Sequence, residues 1–152
     1  MARAPFNVLV IPFCRSERGY RFAVLHRSDA EMWQFVAGGG EADETPAEAA
    51  RREASEEAGI VDATRWTALE STASIPRSAF PGAPWPDTLE VIPEHCFAVE
   101  LELETLALSH EHDRHEWLDY AAAYARLTWD SNGTALAELR ERLGRTDSDS
   151  GA

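Results

Sequence analysis

Residues 38–60 read GGGEADETPAEAARREASEEAGI. A triple glycine leads into Thr45 and Pro46, a run rich in alanine and glutamate follows, and Gly59 closes it. This run predicts a helix over 46–58. Thr45 is placed to cap the free amides, Pro46 suits the first helical position and Glu48 completes a Thr-x-x-Glu capping box. Gly59 stands where a left-handed residue ends a helix. At about 100° per residue, Ala47, Ala50, Ala54 and Ala58 fall on one stripe, and such small side chains let a helix lie close to a sheet. Glu53 and Glu57 are one turn apart at the edge of that stripe, and Glu56 is their neighbour on the solvent side. Arg52, four residues before Glu56, is placed to pair with it. Three carboxylates in so short a span repel one another. Their crowding beside an apolar stripe points to a bound cation, and magnesium is the hard ion that bridges protein carboxylates to substrate phosphates. An exposed acidic helix with internal ion pairs accounts for any one of these glutamates. It does not account for the glycines in front or for the order of acids and arginine.

That order can be written as Gly38, five residues, Glu44, seven residues, then Arg52-Glu53-Ala54-Ser55-Glu56-Glu57-Ala58-Gly59-Ile60. It resembles the Nudix box, G-x5-E-x7-R-E-U-x-E-E-x-G-U, in which U is a bulky aliphatic residue. Ala54 departs from the pattern, which thins a packing contact and removes no ligand. The resemblance implies an α/β protein, an α/β/α sandwich with a mixed sheet. It also implies a hydrolase that uses magnesium, with manganese as the alternative ion, to cleave a diphosphate within a nucleoside-diphosphate-like compound. In that reading Glu53, Glu56 and Glu57 hold metal, and Glu56 and Glu57 are counted with the catalytic groups. Arg52 orients Glu56, Glu44 supports the loop and helix, and Gly38 lets the backbone approach and turn.

The rest of the chain fits one domain, expected over 1–144, with a polar tail at 145–152 whose composition predicts disorder. Formal charge over the 152 residues is −13 and no residue is lysine. An acidic surface disfavours nucleic acid, which needs cationic contacts to phosphate. The expected partner is a small phosphorylated substrate, met by metal and a few arginines, in a monomer or homodimer without membrane attachment. No signal peptide or apolar run of membrane length is read. Cys14 and Cys96 lie in apolar strand-like runs and are expected as free buried thiols, as suits a reducing cytoplasm.

Apolar and β-rich runs predict strands at 6–13, 20–26, 33–36, 66–74 and 94–103, with a short one at 116–118. Helices are expected over 119–127 and 131–143. Residues 75–86 carry several prolines and read as a long loop of the kind that often serves function.

A second constellation, SHEHDRHEWL at 109–118, holds three histidines and several acids. Zinc, a plain solvated loop, and an acid that reaches the box are the three readings weighed. Glu111-His112 followed by Trp117-Leu118 resembles a C-terminal segment of Nudix enzymes, which implies Glu111 as a further metal ligand or as the base. His110, His112 and His115 have no assigned role.

Substrate choice rests on weaker likenesses. Arg27-Ser28-Asp29 and Met32-Trp33-Gln34-Phe35-Val36 resemble the segment ahead of the box in bacterial dihydroneopterin triphosphate pyrophosphatases, also called dATP pyrophosphohydrolases, although the run of glycines 38–40 departs from their loop. The expected substrate is a nucleoside or pterin triphosphate, with release of pyrophosphate. The alternatives are an ADP-ribose or nucleoside-diphosphate-sugar pyrophosphatase, or a non-catalytic nucleotide sensor. Trp33 or Trp85 is a candidate to stack on the ring and Gln34 to read its edge. Arg27 and Arg77 are candidate phosphate partners.

Overall fold

β1 (Arg3–Ser16) is the axis of the molecule. The computed structural model describes residues 2–150. On one edge, β1 pairs in parallel with β6 (Val91–Leu101). On its other edge it pairs antiparallel, first with β4 (Val36–Glu41) and then with β2 (Gly19–Arg27). β2 also pairs with β3 (Trp33–Gln34) and with β7 (His112–Leu118), and β6 carries β5 (Arg65–Pro76) on its far side. The sheet is therefore mixed, as expected.

Side-chain alternation along β1 builds two cores, because successive residues of a strand point to opposite faces. Val8 and Val10 pack with Ala50, Ala54 and Ala58 of helix α1 (Pro46–Ala58). Leu9, Ile11 and Phe13 pack on the opposite face with Ala123 of α2 (Tyr120–Arg126) and with Leu136 and Leu139 of α3 (Asp130–Ser150). The result is the α/β/α sandwich. Cys14 and Cys96 belong to opposite cores and are both free, so no bridge joins them. No helix among the described residues is long and apolar enough to cross a membrane.

Several boundaries differ from those read in the sequence. The strand expected over 33–36 is two strands, β3 and β4, broken at Phe35. The histidine-rich segment is strand from His112 onward. On α1 the alanine stripe runs through Ala49, Ala50, Ala54 and Ala58, and Ala47 is exposed.

The tail departs furthest: α3 continues through residues 145–150. No proline interrupts it, and Asp147 is held by the Tyr20 hydroxyl at 2.9 Å and by Arg15 at 3.4 Å. Residues 151 and 152 of the expected tail lie outside the described residues. Near its middle, α3 is tied to the sheet by Glu138, which accepts from the Glu70 and Ser71 amides at 2.8 and 2.7 Å and from the Ser71 hydroxyl at 2.6 Å. These amides are free because the β5–β6 register shifts between Ala68 and Thr72.

Candidate active site

Helix α1 is built as its sequence predicts. Thr45 Oγ1 accepts from the Glu48 amide at 3.2 Å, and Glu48 Oε1 accepts from the Thr45 amide at 2.9 Å. Gly59 ends the helix in the left-handed region, with φ 69°. The helix faces the sheet with Glu53 and Glu57 inside the contact rather than at its edge; both carboxylates are buried. They fit because the neighbouring strand carries glycine. A Cβ on Gly38 would stand 2.1 Å from the Glu53 Cδ, so any other residue there expels that carboxylate.

Arg52 is the joint of the loop and helix. Its Nε and Nη2 donate to the two Glu44 oxygens at 2.8 and 3.0 Å, and Nη2 also reaches the Gly39 carbonyl at 2.8 Å. Nη1 donates to Glu53 at 2.9 Å and to Glu56 at 3.2 Å. The expected pairing with Glu56 is present, but the bidentate partner is Glu44. This ion pair holds the Glu44 carboxyl below the usual carboxylate range and fastens the glycine strand to the helix. Glu56 itself stays on the solvent side, its side chain 59% exposed.

Glu111 is brought to Glu57 by the backbone. Past α1, the amides of Ala107 and Ser109 donate to the carbonyls of Ala58 and Glu57 at 3.0 and 3.1 Å, so this segment caps the helix C-terminus. From the other side, the Ser28 amide donates to the Glu111 carbonyl at 2.9 Å and its hydroxyl to the His110 carbonyl at 2.7 Å. Glu111 thus stands on a segment pinned from two directions. Ser28 and Ser109 are positioning residues that sequence reading did not single out, since backbone hydrogen bonds leave no residue signature.

Glu53, Glu57 and Glu111 line one cleft of about 490 Å³, together with Arg27, Gly38 and His110. Arg52 reaches Glu53 but, among the described residues, has no bond to Glu57, whose carboxylate accepts from the Ala37 amide at 3.4 Å and faces Glu111. Burial, then the facing carboxylates of Glu111 and Glu53, push the Glu57 carboxyl up to about 9. Burial raises Glu53 as well. Like-charged groups this close share protons until a cation replaces them. The donor set is all carboxylate oxygen, which suits a hard divalent ion. Among the described residues, no three such side chains already converge on a single point, so the fit is one of donor chemistry and charge.

A second cavity, of about 740 Å³, adjoins this cleft and shares Arg27, Ala37, Gly38 and Gly39 with it. Gln34 lines it, and so do Met32, Phe80, Glu94 and the half-exposed Trp129. Arg27 stands between the two spaces, paired with Asp29 at 2.8 and 3.0 Å.

Three expected binding residues are elsewhere. Trp33 lies under the guanidinium groups of Arg126 and Arg114 and against His26, on the side facing α2. Arg77 donates to the carbonyls of Pro86 and Trp85 and so pins the proline loop. Trp85 is buried, its indole N–H donating to the Arg3 carbonyl at 2.8 Å. The histidines do not form a zinc site. His110 lines the acidic cleft, whereas His112 is buried with both ring nitrogens unpartnered.

Residues 4–139 match the NUDIX domain family. The chain belongs to the NUDIX family. Its fold is that of a Listeria monocytogenes protein classed as a NUDIX hydrolase, at 48% identity over 95% of this chain and 97% of that one, with a TM-score of 0.85. The dihydroneopterin triphosphate pyrophosphohydrolase of E. coli is 26% identical over 90% of this chain and 94% of that one, with a TM-score of 0.72. The NUDIX domain of Shewanella oneidensis NrtR, solved with ADP ribose, shares the fold at 16% identity over 91% and 87% of the two chains, with a TM-score of 0.70. No curated protein sequence matches. Family and similar structures together support a NUDIX hydrolase.

Proposed function

We propose that this NUDIX chain is a magnesium-dependent hydrolase of nucleoside or pterin triphosphates that releases pyrophosphate. The observation that carries the reading is Glu57: a buried carboxyl facing two other carboxyls, with no ion pair among the described residues, in a cleft that adjoins a ring-sized cavity. Glu53, Glu57 and Glu111, with Glu56 beside them, would hold magnesium or manganese, which would neutralise charge on the phosphate oxygens and lower the pKa of bound water. Arg27 meets a phosphate from the wall between the two cavities, in the bidentate geometry of a guanidinium. Glu111, on the segment that caps the C-terminus of α1, serves as a further ligand or as the base that takes the proton of the attacking water. Arg52 keeps Glu53 and Glu56 in register with the glycine strand, and Trp129 offers a face for a planar ring.

The E. coli neighbour is named for dihydroneopterin triphosphate, which agrees with the likenesses around Arg27 and Gln34. Retention of every box acid favours catalysis over sensing. The test is a panel of dihydroneopterin triphosphate, the four dNTPs, ADP-ribose and dinucleoside polyphosphates, with Mg²⁺ and with EDTA, products being identified by phosphorus NMR. Pyrophosphate from a triphosphate, abolished by EDTA, is the expected result. Orthophosphate, or turnover unaffected by EDTA, contradicts the reading.

A further inference from the structure

Glu94 has no role in the chemistry described so far, yet it is 5% exposed and lines the ring-sized cavity. It is a register partner of Asn7 across the parallel β1–β6 pair. Asn7 Nδ2 donates to Glu94 Oε2 at 2.6 Å. Asn7 Oδ1 in turn accepts from Arg3 Nη2 at 3.3 Å, and Arg3 is fixed by its bonds to the Ala4 and Phe6 carbonyls, both at 2.7 Å. The orientation of Asn7, and hence of Glu94, is therefore set by Arg3 on the cavity wall, itself anchored to backbone carbonyls. The other carboxylate oxygen, Oε1, has no hydrogen-bond partner among the described residues. Glu94 is also the one carboxylate among the described residues that line this space; the other charged residues there are Arg3 and Arg27.

Burying an acid on an apolar strand costs free energy unless its hydrogen-bonding capacity is met. Burial pushes the Glu94 carboxyl up, and the Asn7 amide pulls it back. Groups that would meet the remaining capacity are N–H donors arriving with a ligand.

We infer that Glu94, aimed by Asn7, reads two adjacent N–H donors on the ring of the substrate, the edge of a 2-amino-4-oxopyrimidine. That edge is common to guanine and to pterins. Adenine presents one donor beside a ring acceptor, which opposes a carboxylate, and hypoxanthine keeps the ring N–H but lacks the 2-amino group. The inference rests on the proposed triphosphate reading and narrows it to a class of ring.

The test compares dGTP with dITP, with dATP and dihydroneopterin triphosphate alongside, in wild type and Glu94→Gln. Two readouts are taken: kcat/KM with Mg²⁺, and equilibrium binding of the α,β-methylene analogues of dGTP and dITP. A hydrogen bond to a charged group supports a preference for guanine over hypoxanthine of at least about tenfold, and Glu94→Gln should remove most of it. dATP should be disfavoured by wild type. A better kcat/KM for dihydroneopterin triphosphate than for dGTP assigns the edge to a pterin, and the reverse to guanine. Equal treatment of dGTP and dITP by wild type in both readouts overturns the inference, and this comparison needs no variant. A fall of equal size on both substrates in Glu94→Gln also overturns it, since that is the mark of a structural role. A guanine preference in binding without hydrolysis supports the inference while removing the activity reading, so the two fail separately.

Discussion

Replacing Glu57 by glutamine keeps its shape and removes its charge, which separates the cost of the acid from its use. The folded carboxyl sits near 9 against an ordinary 4.5. Between those values the folded chain holds a proton that the unfolded chain has released, so metal-free stability falls as pH rises through that window. Melts in EDTA should show wild type and Glu57→Gln alike near pH 4.5, with the variant increasingly the more stable toward pH 9. Parallel curves would mean that burial of Glu57 carries no such penalty. Arg52 and Arg51 make a second comparison. Arg52→Ala releases Glu44, Glu53, Glu56 and the Gly39 carbonyl together, and should cost about 2–3 kcal/mol and weaken Mg²⁺ binding. Arg51 lies over the Trp66 ring at 4.9 Å, and its loss should cost about 1 kcal/mol or less with Mg²⁺ affinity unchanged. Calorimetric titration with Mg²⁺ and denaturant melts check both. At this scale the box was legible because its residues keep fixed spacings along one continuous strand, loop and helix. The placements of Trp33 and Arg77 were not legible, because sequence does not show which face of a short strand a ring takes, or that nearby carbonyls claim a guanidinium. Asn7 and Glu94 did leave a signal, polar residues in apolar strands, that the sequence reading passed over.

The two ends of α1 do different work. Thr45 caps the N-terminus, and Thr45→Ala should cost about 1 kcal/mol without changing kcat. Gly59 closes the C-terminus, where a Cβ would stand 2.8 Å from the Ala107 side chain on a left-handed backbone. Gly59→Ala should cost about 1–2 kcal/mol and also lower kcat, because Ala107 and Ser109 anchor the segment that carries Glu111. Steady-state kinetics beside melts separate the cases: equal effects on kcat at both ends would detach Glu111 from the helix terminus. The helix was readable to the residue from its caps. The start of β7 at His112 was not, because its histidines and acids carry no β signal and the pairing with β2 is long-range. The extension of α3 through 145–150 was missed for a similar reason. Its polar composition reads as a tail, and the anchor at Asp147 comes from Tyr20 and Arg15, far away in sequence.

Across the whole molecule, a chain with charge −13 and no lysine presents phosphate with few cations. In the proposed function, the acids of α1, the Glu111 segment and Arg27 work as one site that a divalent ion would complete. The layers were implied by the family resemblance of the box, whereas the junction of the two cavities depended on contacts that no local pattern encodes. The account turns on Glu111 acting with the helix rather than lying beside it. The most direct measurement is steady-state turnover at saturating Mg²⁺ for wild type, Glu111→Gln and, as a control, Glu116→Gln, whose acid is paired with Arg126 at 2.8 Å away from the cleft. The account predicts that Glu111→Gln lowers kcat by about 10²- to 10⁴-fold with little change in KM, while Glu116→Gln stays near wild type. A Glu111→Gln enzyme within about twofold of wild type would contradict it, because a residue whose loss leaves kcat intact makes no contact specific to the transition state.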